Sequence, residues 1–289
     1  MSTFILLTVT GLGLAALYFL VASGLSLIFG LMDILNFAHG AVVTVGGYTA
    51  WTVADHLGGE IGLALAVPTA IAAGALLAAA IELLVIRPLY GRPLDQVLAT
   101  VGLGLALPAL VQAIWGADPE TWLLPGWLSG TVSLLGARIP TARLVLILVA
   151  ALLLLGLRLL LTRTRAGLIV RAGAQDRQMV TALGIDVRRA FTGVFALGGA
   201  AAGLAGMLDG VYQGSISPED GSSLLIFAFV VVVLGRLGSV TGTALAAVAV
   251  GLVQQFADYA SASLGDESVV ILLAAVLLLR RRELQGRPA

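Results

Sequence analysis

The chain has 289 residues, 59% of them hydrophobic and only 11% charged, with sixteen arginines, no lysine and sixteen acidic residues. A mean hydropathy of +1.05 excludes a soluble globular domain or a disordered chain and makes this an integral membrane protein. With no cysteine there is neither a disulfide framework nor a thiolate metal site, and two histidines without nearby carboxylate partners make no metal-ligand pattern.

Apolar runs of spanning length recur along the chain, separated by short charged or Gly/Pro-bearing segments, so the predicted fold is an all-α polytopic bundle. A barrel would alternate with period two instead. The 36 glycines and nine prolines predict close helix packing with some kinked or broken spans. The first span is predicted over Phe4–Phe29. No basic residue precedes it and its apolar stretch exceeds a signal core, so it is read as retained.

The stretch DILNFAHGAV, Asp33 to Val42, then places Asp33, Asn36 and His39 in an apolar context. An unpaired amide or imidazole is costly against lipid, so Asn36 and His39 should face the bundle, water or backbone groups. Three readings are open: the pair caps a broken helix start, with Gly40 admitting a close neighbour; it lines the translocation path; or it is exposed at the membrane boundary. Its place between two spans near the cytoplasmic side favours capping, with Asp33 capping the following turn or facing the cytosol.

Further spans are predicted over Gly40–Ala54, Ile61–Ile86 and Val97–Trp115, with Glu82 snorkelling or pairing with Arg87 near the interface. The segment from Gly116 to Pro140 follows, where Trp115, Trp122 and Trp127 suggest an interfacial aromatic belt. Spans then follow over Leu144–Leu161, Phe191–Val211, Leu224–Leu234, Val240–Phe256 and Val269–Leu279. The seventh and ninth are short: eleven helical residues rise only ~17 Å against a hydrocarbon core of ~30 Å. They are tilted, extended or re-entrant, giving eight or nine crossings. Drawn as nine, the chain puts fourteen of its sixteen arginines on one side, leaving Arg138 and Arg143 opposite. The arginine bias predicts an outside N-terminus and a cytoplasmic C-terminus.

Between the fifth and sixth spans, TRTRAGLIVRAGAQDRQMVTALGIDVRR (Thr162 to Arg189) is too long and too patterned for a plain turn. It predicts a helix from Ala166 to Leu183, with Leu168, Ala172, Met179 and Leu183 on an apolar stripe and Gly184 as its stop. Such a helix either lies on anionic lipid or docks on a soluble partner. A GxxxxGK[ST] loop is impossible in a chain without lysine, so any ATP is hydrolysed by another subunit.

Three stretches carry a family resemblance: GLSLIFGLMDILNFAHGAVVTVGGY (Gly24 to Tyr48), RAGLIVRAGAQDRQMVTALGIDV (Arg165 to Val187) and VVLGRLGSVTGTALAAVAVGLVQ (from Val232). The chain resembles the shorter permease subunit of branched-chain amino acid ABC importers, a family shared with urea and amide importers. Arg236 stands where a glycine is commoner, and Asp33 and Asp209 have no family role to inherit. The resemblance implies a single transmembrane permease domain over 1–289 in the bacterial inner membrane, with a coupling segment at 162–189. Its coupling residues would be Gly167, Arg171, Ala172, Asp176, Leu183 and Gly184. The implied partners are a longer paralogous permease, two cytoplasmic ATPases that bind ATP and magnesium, a solute-binding protein and membrane lipid, with no nucleic acid and no cofactor in this chain. The expected cargo is leucine, isoleucine or valine, with urea or a short amide as the alternative. A stand-alone channel or carrier is disfavoured by the scarcity of ionisable groups within the spans. An intramembrane enzyme is disfavoured because Ser23 and Ser26 lack an evident base.

Overall fold

The computed structural model describes residues 2–134, 136–175, 179–180, 186–261 and 264–285. They form an α-helical bundle in which six helices are long and apolar enough to cross a membrane. The first helix, α1 (Ser2–Met32), stops because Asp33 adopts a left-handed conformation (φ 55°), its N–H returning to Phe29 O at 2.9 Å. Aspartate is among the few non-glycine residues that tolerate this region. Asp33 therefore ends the preceding helix, rather than capping the following turn, and its side chain is exposed.

Helices α2 (His39–Leu57) and α3 (Gly59–Ile81) follow, the latter prolonged by a π turn (Glu82–Ile86) and a 3-10 turn (Arg87–Leu89). Next come α4 (Pro93–Trp115), strand β1 (Glu120–Thr121), the single turn α5 (Gly126–Ser129) and the hairpin strands β2 (Thr131–Leu134) and β3 (Ala137–Pro140). The chain continues through α6 (Thr141–Arg163), α7 (Arg165–Gln175), α8 (Val187–Gln213), strand β4 (Ser215–Ile216), α9 (Asp220–Leu234), α10 (Val240–Ala260) and α11 (Leu264–Gln285).

The helices at the short predicted spans are longer than hydropathy suggests. Helix α9 has 15 residues and α11 has 22, because a hydropathy window discards polar helix ends: the first turn with Asp220 in one, and in the other the first turn with Asp266 and Glu267 together with the charged last residues 280–285. Acids in a first helical turn complement the helix dipole and belong to the helix. The expected aromatic belt is also revised. Trp122 is buried against Gly210, Trp115 donates its indole N–H to Thr52 Oγ1 at 2.9 Å, and Trp127 is half-exposed.

Small residues let the core close. At Gly203 on α8, an added Cβ would strike Ala70 O and press on Gly74 Cα of α3, while a Cβ at Gly46 of α2 would strike Gly203 Cα. Three backbones thus meet at one level, the close approach that small residues permit between membrane helices. At the end of the bundle where α1 begins, β1 pairs antiparallel with β4, and the Arg143 guanidinium lies over the Tyr212 ring while donating to Tyr212 O at 3.1 Å. One of the two arginines that depart from the charge bias is therefore held by a specific contact.

Candidate functional site

The stretch from Asp33 to Gly40 does not remain at the membrane boundary. The His39 ring lies against Gly24 of α1, and its Nε2 is 3.1 Å from Val21 O. Gly24 and Val21 precede the end of α1 at Met32 by two to three helical turns, so the ring sits ~12–16 Å inside that end of the bundle. The chain makes this return through a short non-helical segment, residues 34–36, followed by a turn at Phe37 and Ala38 that starts α2. A carbonyl only accepts, so His39 Nε2 carries the proton and donates to Val21 O. Asn36 Oδ1 accepts from Ala38 N–H at 3.1 Å, and His39 N–H donates to Asn36 O at 3.3 Å.

Asn36 and His39 are both fully buried, which overturns the reading of the pair as exposed at the membrane boundary. Asn36 performs local backbone capping and His39 ties the start of α2 to α1. After these bonds Asn36 Nδ2, a donor, and His39 Nδ1, an acceptor in this tautomer, have no hydrogen-bond partner among the described residues.

A second broken segment meets the first. From Gly214 the chain descends beside α2: Tyr48 O–H donates to Ile216 O at 3.4 Å and Thr44 O–H to Pro218 O at 3.3 Å. Helix α9 then starts where Gly221 packs backbone to backbone on Gly40. The helix at the short seventh predicted span is thus preceded by a non-helical segment, residues 214–219, that runs alongside α2 inside the bundle. Gly40 was legible as a close-approach residue, whereas Gly221, Thr44 and Pro218 were not identified; the signal for Pro218 and Gly221 is the turn-forming run SPEDG before an apolar segment.

The expected coupling residues lie elsewhere, at the end of the bundle where α1 ends and α8 begins. Gly167 fits α7 under α6: its N–H is capped by Thr164 Oγ1 at 3.0 Å, and a Cβ there would strike Leu160 O and press on Leu161. The buried side of α7 is Gly167, Val170 and Gly173; Leu168 and Arg171 are exposed and Ala172 is half-buried. Of the predicted stripe, Leu168 (61% exposed) and Met179 (63% exposed) face out of the bundle, Ala172 is half-buried, and Leu183 lies outside the described residues. Tight packing selects small residues, and the large apolar Leu168 is turned outward. Asp176, Leu183 and Gly184 fall outside the described residues.

A family model described as the branched-chain amino acid transport system / permease component matches residues 7–280. The chain belongs to this family. It is 32% identical over 291 residues to the high-affinity branched-chain amino acid transport system permease protein BraD of Pseudomonas aeruginosa, covering 97% of this chain and 95% of that relative. Its identity to LivH of Escherichia coli, which carries the same functional description, is 29%, over 96% and 94% of the two chains. LivM of Escherichia coli, another permease protein of that description, is 26% identical over 90% of this chain and 67% of its own. No solved structure gives a significant match.

As a member of this permease family the chain is a non-catalytic transport subunit embedded in a membrane. The three stretches that carried the resemblance map onto the α1–α2 break, α7 and the α9–α10 turn. In that turn Arg236 has φ 69°, a backbone region that favours glycine, and Gly238 (φ 82°) presses against Gly30 of α1. The family's commoner glycine at Arg236 therefore has a local conformational reason.

Proposed function

We propose that this chain is the shorter permease of a heterodimeric ABC importer for branched-chain amino acids in the bacterial inner membrane. A solute-binding protein delivers leucine, isoleucine or valine, a longer LivM-like permease completes the path, and two cytoplasmic ATPases drive it. The supporting observation for cargo and assembly is similarity to BraD and LivH over nearly the whole chain, together with weaker similarity to LivM. The arginine distribution supports nine crossings, with the N-terminus outside and the C-terminus cytoplasmic.

Within this assembly α7 is the coupling helix. Its seating through Gly167, Val170 and Gly173 leaves Leu168 and Arg171 outward, an apolar residue and a cation suited to a groove on the ATPase. Asn36, His39 and Gly40 belong to the translocation half of the mechanism. Two discontinuous crossings meet at Gly40 and Gly221, an arrangement that membrane transporters use near their binding sites. The unpaired Asn36 Nδ2 and His39 Nδ1 offer one donor and one acceptor at that level.

The test is uptake into liposomes containing the complete complex, with labelled leucine and labelled urea measured side by side. Leucine uptake that requires ATP, the ATPases and the binding protein is the expected result. Urea uptake with the same requirements would retain the assembly and refute the cargo. Flux through this subunit alone would refute the importer reading.

A further inference from the structure

Beyond the coupling helix, one buried ionic cluster stands where α3, α7 and α8 come together. It originates in Pro88. A proline in helical register has no N–H for the carbonyl four residues back and its ring crowds that carbonyl. The preceding turn widens accordingly: Arg87 N–H returns to Glu82 O, five residues back, and the helix finishes as a 3-10 turn before leaving at Tyr90. Widened turns of this kind recur at functional positions in helices.

The irregular ending folds Tyr90 back onto Glu82, whose side chain is fully buried. Tyr90 O–H donates to Glu82 Oε1 at 2.7 Å, and Arg87 Nε pairs with the same oxygen at 3.4 Å. Thr192 of α8 donates to Glu82 Oε2 at 2.8 Å while accepting from Arg87 Nη2 at 3.1 Å. The Thr192 hydroxyl also lies 3.2 Å from Arg188 O. It has one hydrogen and two acceptors, so the link to Glu82 can be exchanged for a link within α8. Of the two alternatives expected for Glu82, snorkelling or pairing with Arg87, the structure has the pair, buried on the Glu82 side and bridged to another helix.

Tyr90 reaches the coupling region with its other face. Its ring stands edge-on to Phe191 at 6.2 Å and 89°. Phe191 and Val180 form a small core separate from the main one, packed by Met32, Tyr90 and Ala172. One side chain therefore touches the coupling region through its ring and the α3 carboxylate through its hydroxyl.

We infer that Glu82, Arg87, Tyr90 and Thr192 form a clasp that transmits displacement of the coupling segment to α3 and so sets how much solute moves per ATP hydrolysed. This inference rests on α7 being the coupling helix. The four are positioning residues. Removing the Tyr90 hydroxyl or the Thr192 hydroxyl leaves the apolar packing in place and opens the clasp.

The test uses the complete complex in liposomes, with labelled leucine uptake and phosphate release measured in the same vesicles. Tyr90→Phe and Thr192→Val should assemble and hydrolyse ATP, but move about tenfold less leucine per ATP, as expected for loss of a hydrogen bond to a charged group. Thr192→Ser, which keeps the hydroxyl, should restore the ratio. An unchanged ratio in Tyr90→Phe and Thr192→Val overturns the inference, as does a parallel fall of uptake, hydrolysis and assembled complex, which would mark a merely structural role. Arg171→Glu on α7 separates the two readings. If it abolishes ATPase docking while both clasp variants keep a normal ratio, only the clasp fails; if it docks and couples normally, the coupling reading fails and the clasp with it.

Discussion

Gly203 provides the most direct physical test of the bundle. A Cβ at Gly203 would strike Ala70 O, and it would lie 3.1 Å from Gly74 Cα, so relief requires moving α3 away from α8 rather than rotating a side chain. Forcing a methyl group into such packing costs ~1–3 kcal/mol. Alanine's better helix propensity returns at most ~1 kcal/mol. Gly156 on α6 supplies the matched control, since nothing lies within 4 Å of a Cβ there. Gly156→Ala has only the propensity gain, which both variants share, so the two should differ by the overpacking cost of about 1–3 kcal/mol. At ~2–4 °C per kcal/mol, the gap in Tm is roughly 2–12 °C, with Gly203→Ala the less stable. Thermal unfolding of the purified permease in one detergent, followed by tryptophan fluorescence and gel filtration, measures it. If Gly203→Ala melts with or above Gly156→Ala, the backbone contact between α3 and α8 is refuted.

Arg236→Gly should stabilise the α9–α10 turn, because a left-handed non-glycine residue costs ~1–2 kcal/mol and glycine's extra chain entropy offsets only ~0.5–1 kcal/mol of that; a Tm below that of the parent would contradict the φ of 69°. His39→Ala deletes a fully buried ring and its bond to Val21 O, so a loss of about 2–4 kcal/mol is expected, read as a lower melting temperature. The cysteine-free sequence allows single-cysteine mapping of the crossings: Asp118→Cys should react with an impermeant maleimide from outside intact cells and Arg163→Cys only in inverted vesicles. Labelling of both from the same side would refute the nine-crossing topology.

The spans were legible because lipid demands long apolar helices, and each predicted run lies within a helix. What hydropathy does not encode is depth. Asn36 and His39 fall between two apolar runs near one end of the bundle, yet the short non-helical segment after α1 carries His39 back to Gly24 and Val21. On α7 the apolar pattern picked out the outward Leu168, whereas the contact with α6, which needs the absence of a side chain at Gly167, leaves no mark in that pattern. Glu82 was recognised as a partner for Arg87, but its bridge to Thr192 joins residues 110 positions apart, a separation that no local pattern spans.

The placement of these backbone contacts constrains how the bundle can deform. Helix α8 touches α1 through Gly198 and Gly24, α2 through Gly203 and Gly206, and α3 through Gly199 and Gly203, in each case with main-chain atoms of one helix facing those of another. Side chains at an ordinary helix interface can change rotamer as helices slide; a carbonyl against a Cα cannot. Helices α4 and α6 are less enclosed: only 17% of the spanning window of each is buried, and nothing lies within 4 Å of a Cβ at Gly102 or Gly156. These main-chain contacts lie along the middle of α8, whereas Thr192, near its start, meets Glu82 at the end of α3 through side chains alone. With α7 as the coupling helix, that side-chain link is the part of the α3–α8 contact that can open when α7 is displaced, as the clasp requires.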